Sequence, residues 1–258
     1  MMVRRLKKYK LGVLAIMKNE SSNLKEWLDH YFWIGADQIY LIDNGSDDHS
    51  VQIARNHERS CNIQIVLRPK PYRQVQHYRA AFRSCQIKRD CEWLMIADID
   101  EFWFAKNGRK IPDVLSGFSG IDVIYTNCTI FGSSGFKQHP ASLRKELVHC
   151  HSELDSHQNT KWVCRTDIIN WFTKIGIHKI KGARSDKVVS DNTTFQLNHY
   201  IIQSEEYFEL VKLTRGDASR EWRNTIRNWE YFKRIDATCT SKDFTLKSFL
   251  SDRPAKAL

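Results

Sequence analysis

Short apolar runs alternate with helical stripes over the first 130 residues, and this alternation restricts the fold more than any other feature of the sequence. Residues 12–17 form a continuous apolar run, which is typical of a strand buried on both faces. Asn23 is a candidate N-cap of the next helix, in which apolar residues recur at helical spacing. Similar runs predict strands at 39–42, 63–67, 93–97 and 121–126. This βαβαβαβ order predicts an α/β fold with a mostly parallel central sheet flanked by helices.

The composition excludes several other classes of protein. A chain of 258 residues with 41% hydrophobic and 27% charged residues is globular, not disordered. No apolar run approaches the roughly 20 residues that span a bilayer. The basic residues 1–10 and the apolar residues 11–17 lack a small-residue cleavage site, so we do not expect a secretory signal. Seven widely spaced cysteines without a C-x-x-C pair suggest neither a zinc ribbon nor a disulfide framework, and we expect a cytoplasmic protein.

The pattern changes after about residue 130. Residues 131–160 are polar and rich in histidine, and they predict a long loop over the sheet. Strand-like segments follow at 161–165 and 194–202, and helical patterns lie near 204–214 and 219–235. We expect one domain over about residues 1–240, with a change of character near residue 130. A helical tail over 217–258 is expected to lie at its periphery.

An acidic segment directly follows the strand predicted at 93–97. Asp98-Ile99-Asp100-Glu101 places three carboxylates in four positions, where they repel one another unless a cation lies among them. Hard oxygen ligands at this spacing suit Mg²⁺ or Mn²⁺. A solvated acidic turn or a helix N-terminus has the same sequence pattern. This D-x-D segment is a candidate metal site.

Two further polar segments follow predicted parallel strands. In a parallel sheet, ligands bind beyond the carboxyl ends of the strands, so these segments are expected at the same edge as the acidic one. The segment at 43–48 could hydrogen-bond a base or a ribose, and an ordinary Asx turn is an equally good interpretation. The residues that carry this prediction are Lys18, Asn19 and Glu20 after the first strand, and Asp43, Asn44, Ser46 and Asp47 after the second.

Histidines and basic residues are the remaining candidates in the second half of the chain. His199 ends an alternating run and could supply an imidazole ligand to a D-x-D metal, although most histidines are structural. His178 follows an aromatic-rich stretch. Basic residues that could contact phosphate, or simply face solvent, are Lys179, Lys181, Arg184, Lys212 and Arg215.

Taken in order, these motifs resemble the glycosyltransferases of families 2 and 92, which have a GT-A type fold. The resemblance covers about residues 11–216. The matching segments are 16–20, 24–31, 35–37, 42–48, 93–102, 131–135, 176–178 and 197–200, followed by Ser204 and Arg215-Gly216. The resemblance implies a Rossmann-like GT-A domain with a donor-binding half over about 11–130 and an acceptor-side half over about 131–216.

The resemblance also implies a set of site residues. The donor would be a nucleoside diphosphate sugar, with a UDP-sugar expected, and Mn²⁺ or Mg²⁺ would be held by Asp98, Asp100 and His199. The nucleotide pocket would be lined by Lys18, Asn19, Glu20, Asp43, Asn44, Ser46, Asp47, Asp98 and His178. Family 2 members often carry their general base in a recognisable E-D pair, which the second half of this sequence lacks. Glu153 and Asp155 are the candidate catalytic bases, and Glu146 competes with them.

The expected reaction is an inverting sugar transfer to a hydroxyl of a glycan or lipid-linked glycan, in bacterial surface polysaccharide or lipopolysaccharide assembly. The formal charge of +10 keeps other partners open. A nucleic-acid-binding protein is one alternative, but no nucleic-acid-binding motif is present and we expect no nucleic acid partner. A non-catalytic nucleotide- or sugar-binding module and a metal-dependent nucleotidyltransferase or phosphohydrolase are others. The basic residues 1–10 are consistent with peripheral contact with an anionic membrane face, such as the inner membrane.

Overall fold

The computed structural model describes residues 6–154, 160–170, 173–214 and 227–251. Strands are numbered in chain order. The main sheet contains β1 (Tyr9–Met17), β2 (Gln38–Asp43), β3 (Ile63–Leu67), β4 (Cys91–Ile96), β5 (Glu101–Ala105), β6 (Val123–Ile130), β8 (Thr160–Arg165), β11 (Val188–Ser190) and β12 (Phe195–His199). Two short antiparallel pairs lie apart from it, namely β7 (His149–Cys150) with β13 (Ser241–Lys242) and β9 (Lys174–Ile175) with β10 (Ile180–Lys181).

Helices connect these strands. They are α1 (Leu24–Trp33), α2 (Ser50–Asn56), α3 (Gln74–Ser84), α4 (Ile87–Asp90), α5 (Ile111–Leu115), α6 (Leu143–Glu146), α7 (Glu205–Tyr207), α8 (Trp229–Thr238) and α9 (Thr245–Ser251). Phe208–Lys212 is a π-helical turn that directly continues α7. None of the described helices is both long enough and apolar enough to cross a bilayer.

The predicted α/β fold with a mostly parallel sheet is confirmed. The strand order is β3-β2-β1-β4-β8-β6-β12-β5, with β11 beside β6. β1, β2, β3 and β4 are parallel, as the alternation of strand and helix predicts. β8 is antiparallel to both of its neighbours, and β5 is antiparallel to β12. The sequence pattern does not predict β5, because this strand begins at Glu101 inside the acidic segment and no turn signal separates the two.

The connection between β4 and β5 shows that the sheet curls. Ile96 ends β4 and Glu101 begins β5, yet β8, β6 and β12 lie between these two strands in the sheet. On a flat sheet the two strands would lie about 19 Å apart, which is roughly the full reach of the connecting chain. The connection is a compact turn instead, in which the Glu101 N–H donates to the Asp98 carbonyl oxygen at 3.1 Å. The last strand therefore curves back towards β4.

The C-terminal region differs from its expected peripheral position. β13 pairs with β7, and α9 packs against α6 with Leu246 buried. The region predicted as a loop over residues 131–160 contains α6 and β7. Of the helix predicted at 219–235, residues 219–226 lie outside the described residues, and α8 begins at Trp229 after its N-cap Asn228. Residues 229–250 are thus part of the packed structure.

Candidate active site

The polar loops after β1 and β2 contact each other, as the parallel-sheet argument predicts. The Asn19 side chain donates from Nδ2 to Asp47 Oδ1 at 2.7 Å and accepts from the Asp47 N–H at 3.0 Å. The Asn19 N–H donates to Ser46 Oγ at 3.1 Å. The Glu20 N–H donates to Ser50 Oγ at 2.7 Å, which ties the same loop to the start of α2. These contacts build one continuous polar edge.

The side chains of Asp43 and Asn44 hydrogen-bond backbone groups of the same edge. Asp43 Oδ1 accepts from the Ser46 N–H at 3.0 Å, which is an Asx-type turn. Asn44 Nδ2 donates to the carbonyl oxygens of Arg68 and Lys70 and so holds the segment after β3. Both side chains are buried, whereas Lys18 is exposed. The contacts of Asp43 and Asn44 correspond to the turn that the sequence left as an alternative.

A fully buried lysine pairs with the acidic segment. Lys161, on β8, places Nζ 2.6 Å from Asp98 Oδ2 and 3.4 Å from Glu101 Oε2. Glu101 Oε2 also accepts from the Asp98 N–H at 3.0 Å. In the sequence, Lys161 is only the first residue of a predicted strand. A lysine that opens the apolar run Trp162–Cys164 was the available signal, but its partners depend on how β8 inserts beside β4.

Burial and charge determine the ionisation of this group. Burial alone would raise the pKa of Asp98, but the adjacent Lys161 ammonium outweighs it and lowers that pKa. Burial would likewise lower the pKa of Lys161, and Asp98 and Glu101 raise it instead. Glu101 is more deeply buried, and burial raises its pKa to about 6. Asp98 and Lys161 therefore form a charged pair inside the protein.

A second lysine and a histidine contact Asp100. Lys212 Nζ lies 2.6 Å from Asp100 Oδ2, and His199 Nε2 lies 3.6 Å from Oδ1. His199 Nδ1 is 3.8 Å from Glu101 Oε1. Lys212 is only 4% exposed, so the solvent-facing interpretation of this residue is wrong. Burial opposes the charge on Asp100, but Lys212 and His199 outweigh it and hold the pKa of that carboxyl well below its usual range.

Helix α1 supports the acidic turn from the core. Trp27 Nε1 donates to the Asp98 carbonyl oxygen at 2.9 Å. The Tyr31 hydroxyl donates to the Glu101 carbonyl oxygen at 3.0 Å. Both aromatic side chains are fully buried in the main hydrophobic core. The backbone of the turn is therefore held by core packing, which leaves the carboxylates to face the lysines and His199.

The other predicted residues lie at different distances from this cluster. His178 is close enough to influence the ionisation of Asp98, and its Nδ1 lies 3.1 Å from the Thr160 carbonyl oxygen. Glu153 is exposed and lines a cavity of about 700 Å³, together with residues that include Gln196 and Phe244. The three carboxylates of the acidic segment do not line that cavity. Asp155 lies outside the described residues.

Asp100 and His199 are a pair that could hold a divalent cation, and Glu101, Cys128 and His199 also bring ligand atoms within 4.8 Å of one another. Two adjacent ligands of an octahedral Mg²⁺ lie about 3 Å apart, and Asp100 Oδ1 and His199 Nε2 are 3.6 Å apart. Among the described residues, no group hydrogen-bonds the buried His199 Nδ1, so the ring is held by charge and not by a fixed hydrogen bond on that side. Asp98 fits less well, because Lys161 holds one oxygen and Gln74 and Tyr78 approach the other at 3.3 and 3.4 Å.

Comparison with known proteins identifies the family. The family model described as glycosyltransferase family 92 matches residues 14–247. The chain belongs to glycosyltransferase family 92. The predicted resemblance is thereby confirmed. A family 92 protein of Oryza sativa subsp. japonica is 26% identical over 80% of this chain and 35% of its own length. One of Ricinus communis is 24% identical over 86% of this chain and 39% of its own length. The chain thus spans well under half the length of these relatives.

Solved structures show a weaker similarity. Staphylococcus aureus TarS, residues 1–349, has 13% sequence identity and a TM-score of 0.47, covering 79% of this chain and 64% of that one. The same TarS fragment in complex with UDP has 15% identity and a TM-score of 0.45, covering 87% and 71%. Scores at this level establish no shared ligand or reaction.

Proposed function

We propose that this family 92 protein transfers a sugar from a nucleoside diphosphate sugar to a hydroxyl of a glycan or lipid-linked glycan. The observation that carries the proposal is the cluster at the carboxyl end of β4. There Asp98, Asp100 and His199 lie beside two buried lysine ammonium groups. Such a cluster suits a ligand that brings both a cation and several negative charges. The polar edge formed by the loops after β1 and β2 lies alongside, where a nucleotide would bind.

Asp100 and His199 would hold Mn²⁺ or Mg²⁺, which when bound neutralises charge on the leaving diphosphate. Lys161 and α1 hold the acidic turn in place from inside the protein. His178 and the loops that carry Asn19 and Asp47 are proposed to orient the nucleotide. With these groups preorganised, charge that develops on the leaving group is met without rearrangement of the turn.

The base and the biological setting remain predictions. A carboxylate that takes the acceptor proton would give inversion, and Glu153 and Asp155 are the candidates. Bacterial surface polysaccharide assembly, a cytoplasmic site of action and contact with an anionic membrane face are further expectations. The relatives named above come from plants, so the acceptor is proposed by chemical class only.

Nucleotide binding with and without metal tests the proposal. We expect UDP with Mn²⁺ to raise the melting temperature of the wild-type protein and UDP alone to raise it less. Asp100→Asn should abolish the metal-dependent part. Asp186→Asn is a matched control, because Asp186 is exposed and pairs with a neighbouring arginine. Stabilisation by single-stranded RNA but not by any nucleotide would contradict the proposal.

A donor screen then separates an enzyme from a binding module. Nucleoside diphosphate sugars are incubated with the protein and Mn²⁺, and released diphosphate is measured with and without a mixture of oligosaccharide acceptors. We expect slow release from one donor, accelerated by an acceptor and lost in Asp100→Asn. Binding without release from any donor would indicate the non-catalytic module. Glu153→Gln and Asp155→Asn in the same assay show which carboxylate, if either, acts as the base.

A further inference from the structure

We propose that Lys212 is a diphosphate-binding residue that pairs with Asp100 only while the donor is absent. When a divalent cation takes Asp100, the Lys212 amine leaves it and binds a phosphate oxygen of the donor. This inference rests on the proposed function and adds to it a specific residue and an order of contacts.

The first support is competition for one carboxylate. Asp100 has two oxygens, of which Oδ2 accepts from Lys212 Nζ at 2.6 Å and Oδ1 faces His199. A divalent cation bound between Asp100 and His199 would lie within a few ångströms of the Lys212 ammonium. Two like charges at that separation in a poorly solvated site repel strongly. A cation bound at Oδ1 therefore weakens the contact between the ammonium and Oδ2.

The second support is the contrast with Lys161. Lys161 lies on β8, which is hydrogen-bonded to β4 on one side and β6 on the other, and its amine contacts two carboxylates. Lys212 is the last residue of a π-helical turn and contacts Asp100. Such turns are rare, and they occur often at functional sites. Lys161 is held on a strand that is bonded at both edges, whereas Lys212 meets Asp100 from the end of a helical turn.

The third support is that the backbone carrying Lys212 is anchored beside the polar edge formed by the loops after β1 and β2. The Tyr207 hydroxyl donates to Glu20 Oε2 at 3.2 Å, and the Tyr207 N–H donates to Ser204 Oγ at 3.1 Å. Phe208 is buried and packs on Phe232. With its backbone held in this way, the flexible stem of the lysine can redirect the amine over several ångströms. Lysine binds phosphate as a point charge and tolerates such a change of partner.

Binding of Mn²⁺ and of UDP, measured separately, tests the proposal. Mn²⁺ binding alone is followed by electron paramagnetic resonance of the free ion, and UDP binding at saturating Mn²⁺ by calorimetry. In Lys212→Met we expect Mn²⁺ alone to bind about threefold to tenfold more tightly, because the competing ammonium is gone. We expect UDP to bind at least about tenfold more weakly, because a charge-assisted hydrogen bond is lost. Lys145→Met, which removes an exposed lysine of α6, should leave both affinities unchanged.

Lys212→Arg keeps the positive charge and should hold UDP affinity within about threefold of the wild type. It also tests the proposal if Lys212→Met fails to fold. Lys212→Met that loses Mn²⁺ and UDP binding together would show that Lys212 only supports Asp100, and unchanged UDP affinity would show that it does not reach phosphate. Either result overturns this inference while leaving the proposed function intact. A wild-type protein that binds neither Mn²⁺ nor UDP overturns both.

Discussion

The acidic turn has two sides of different construction. On one side, α1 and β8 hold it with buried aromatic hydrogen bonds and with Lys161, which sits on a strand bonded on both edges. On the other side, His199 ends β12 and Lys212 ends a π-helical turn, so each meets Asp100 from the end of an element. We infer that the first side fixes the position of the acidic turn, whereas the residues of the second side change their contacts when a ligand binds.

The largest expected effect on stability comes from removing the Lys161 ammonium on the first side of the turn. Lys161→Met leaves Asp98 and the buried Glu101 without their shared partner, and breaking a buried ion pair in this way costs about 3–5 kcal/mol. We expect a loss of that size in the free energy of unfolding measured with denaturant.

Lys212→Met is the matched variant on the second side, where Asp100 keeps His199 as a neighbour. We expect it to cost about 1–2 kcal/mol. Equal losses for the two methionine variants would remove the distinction between the two sides.

A smaller effect on stability is expected when the pH is lowered, because of His30 in α1. His30 Nε2 lies 2.7 Å from the Trp103 carbonyl oxygen, and Nδ1 lies 3.4 Å from Arg144 Nη1. The neutral ring satisfies both contacts by donating from Nε2 and accepting at Nδ1. Burial, with a smaller contribution from Arg144, holds the pKa of His30 well below its usual value.

Below about pH 6.5 the unfolded chain takes up a proton at this histidine that the folded protein does not. The stability of the folded protein should therefore fall as pH decreases, with a contribution of up to about 1.4 kcal/mol per pH unit. Denaturation at pH 7.5, 6.5 and 5.5 measures this dependence, and His30→Gln should show a shallower one. A His30→Gln protein with an unchanged pH dependence would contradict the assignment.

The smallest effect on stability is expected from losing the hydrogen bond between Tyr207 and Glu20, which anchors the turn that carries Lys212. Tyr207→Phe removes the hydrogen bond to Glu20, which should cost about 1 kcal/mol or less of unfolding free energy. If this bond positions the turn that carries Lys212, UDP affinity at saturating Mn²⁺ should also fall a few-fold. A loss of stability without any change in UDP affinity would mean that the anchor serves the fold alone.

The sequence predicts the parallel half of the molecule well, because that half follows from local patterns. Buried strands appear as apolar runs, and the carboxyl ends of parallel strands share one edge, so the contact between Asn19 and Asp47 follows from topology alone. His199 is a predicted ligand that the structure brings to Asp100. These steps need only strand order and direction.

The lysine partners could not be predicted in the same way. Lys161 reaches Asp98 only because β8 enters the sheet antiparallel beside β4, and that placement depends on packing across 63 residues of sequence. Lys212 lies between Val211 and Leu213, and nothing in that local pattern identifies Asp100 as its partner. β5 was missed for a related reason, since a strand that starts inside an acidic motif carries no turn signal of its own. Long-range pairing therefore decided the electrostatics of the site.

The compact turn between β4 and β5 has a mechanical consequence. Its few residues join β4 and β5, which three other strands separate in the sheet, so the short turn keeps the sheet curled. A longer turn would let β5 and β12 move away from β4. Asp100 and His199 would then separate even with every side chain retained. The chemistry and the curvature of the sheet thus depend on one short stretch of chain, and that stretch has little room to change in length.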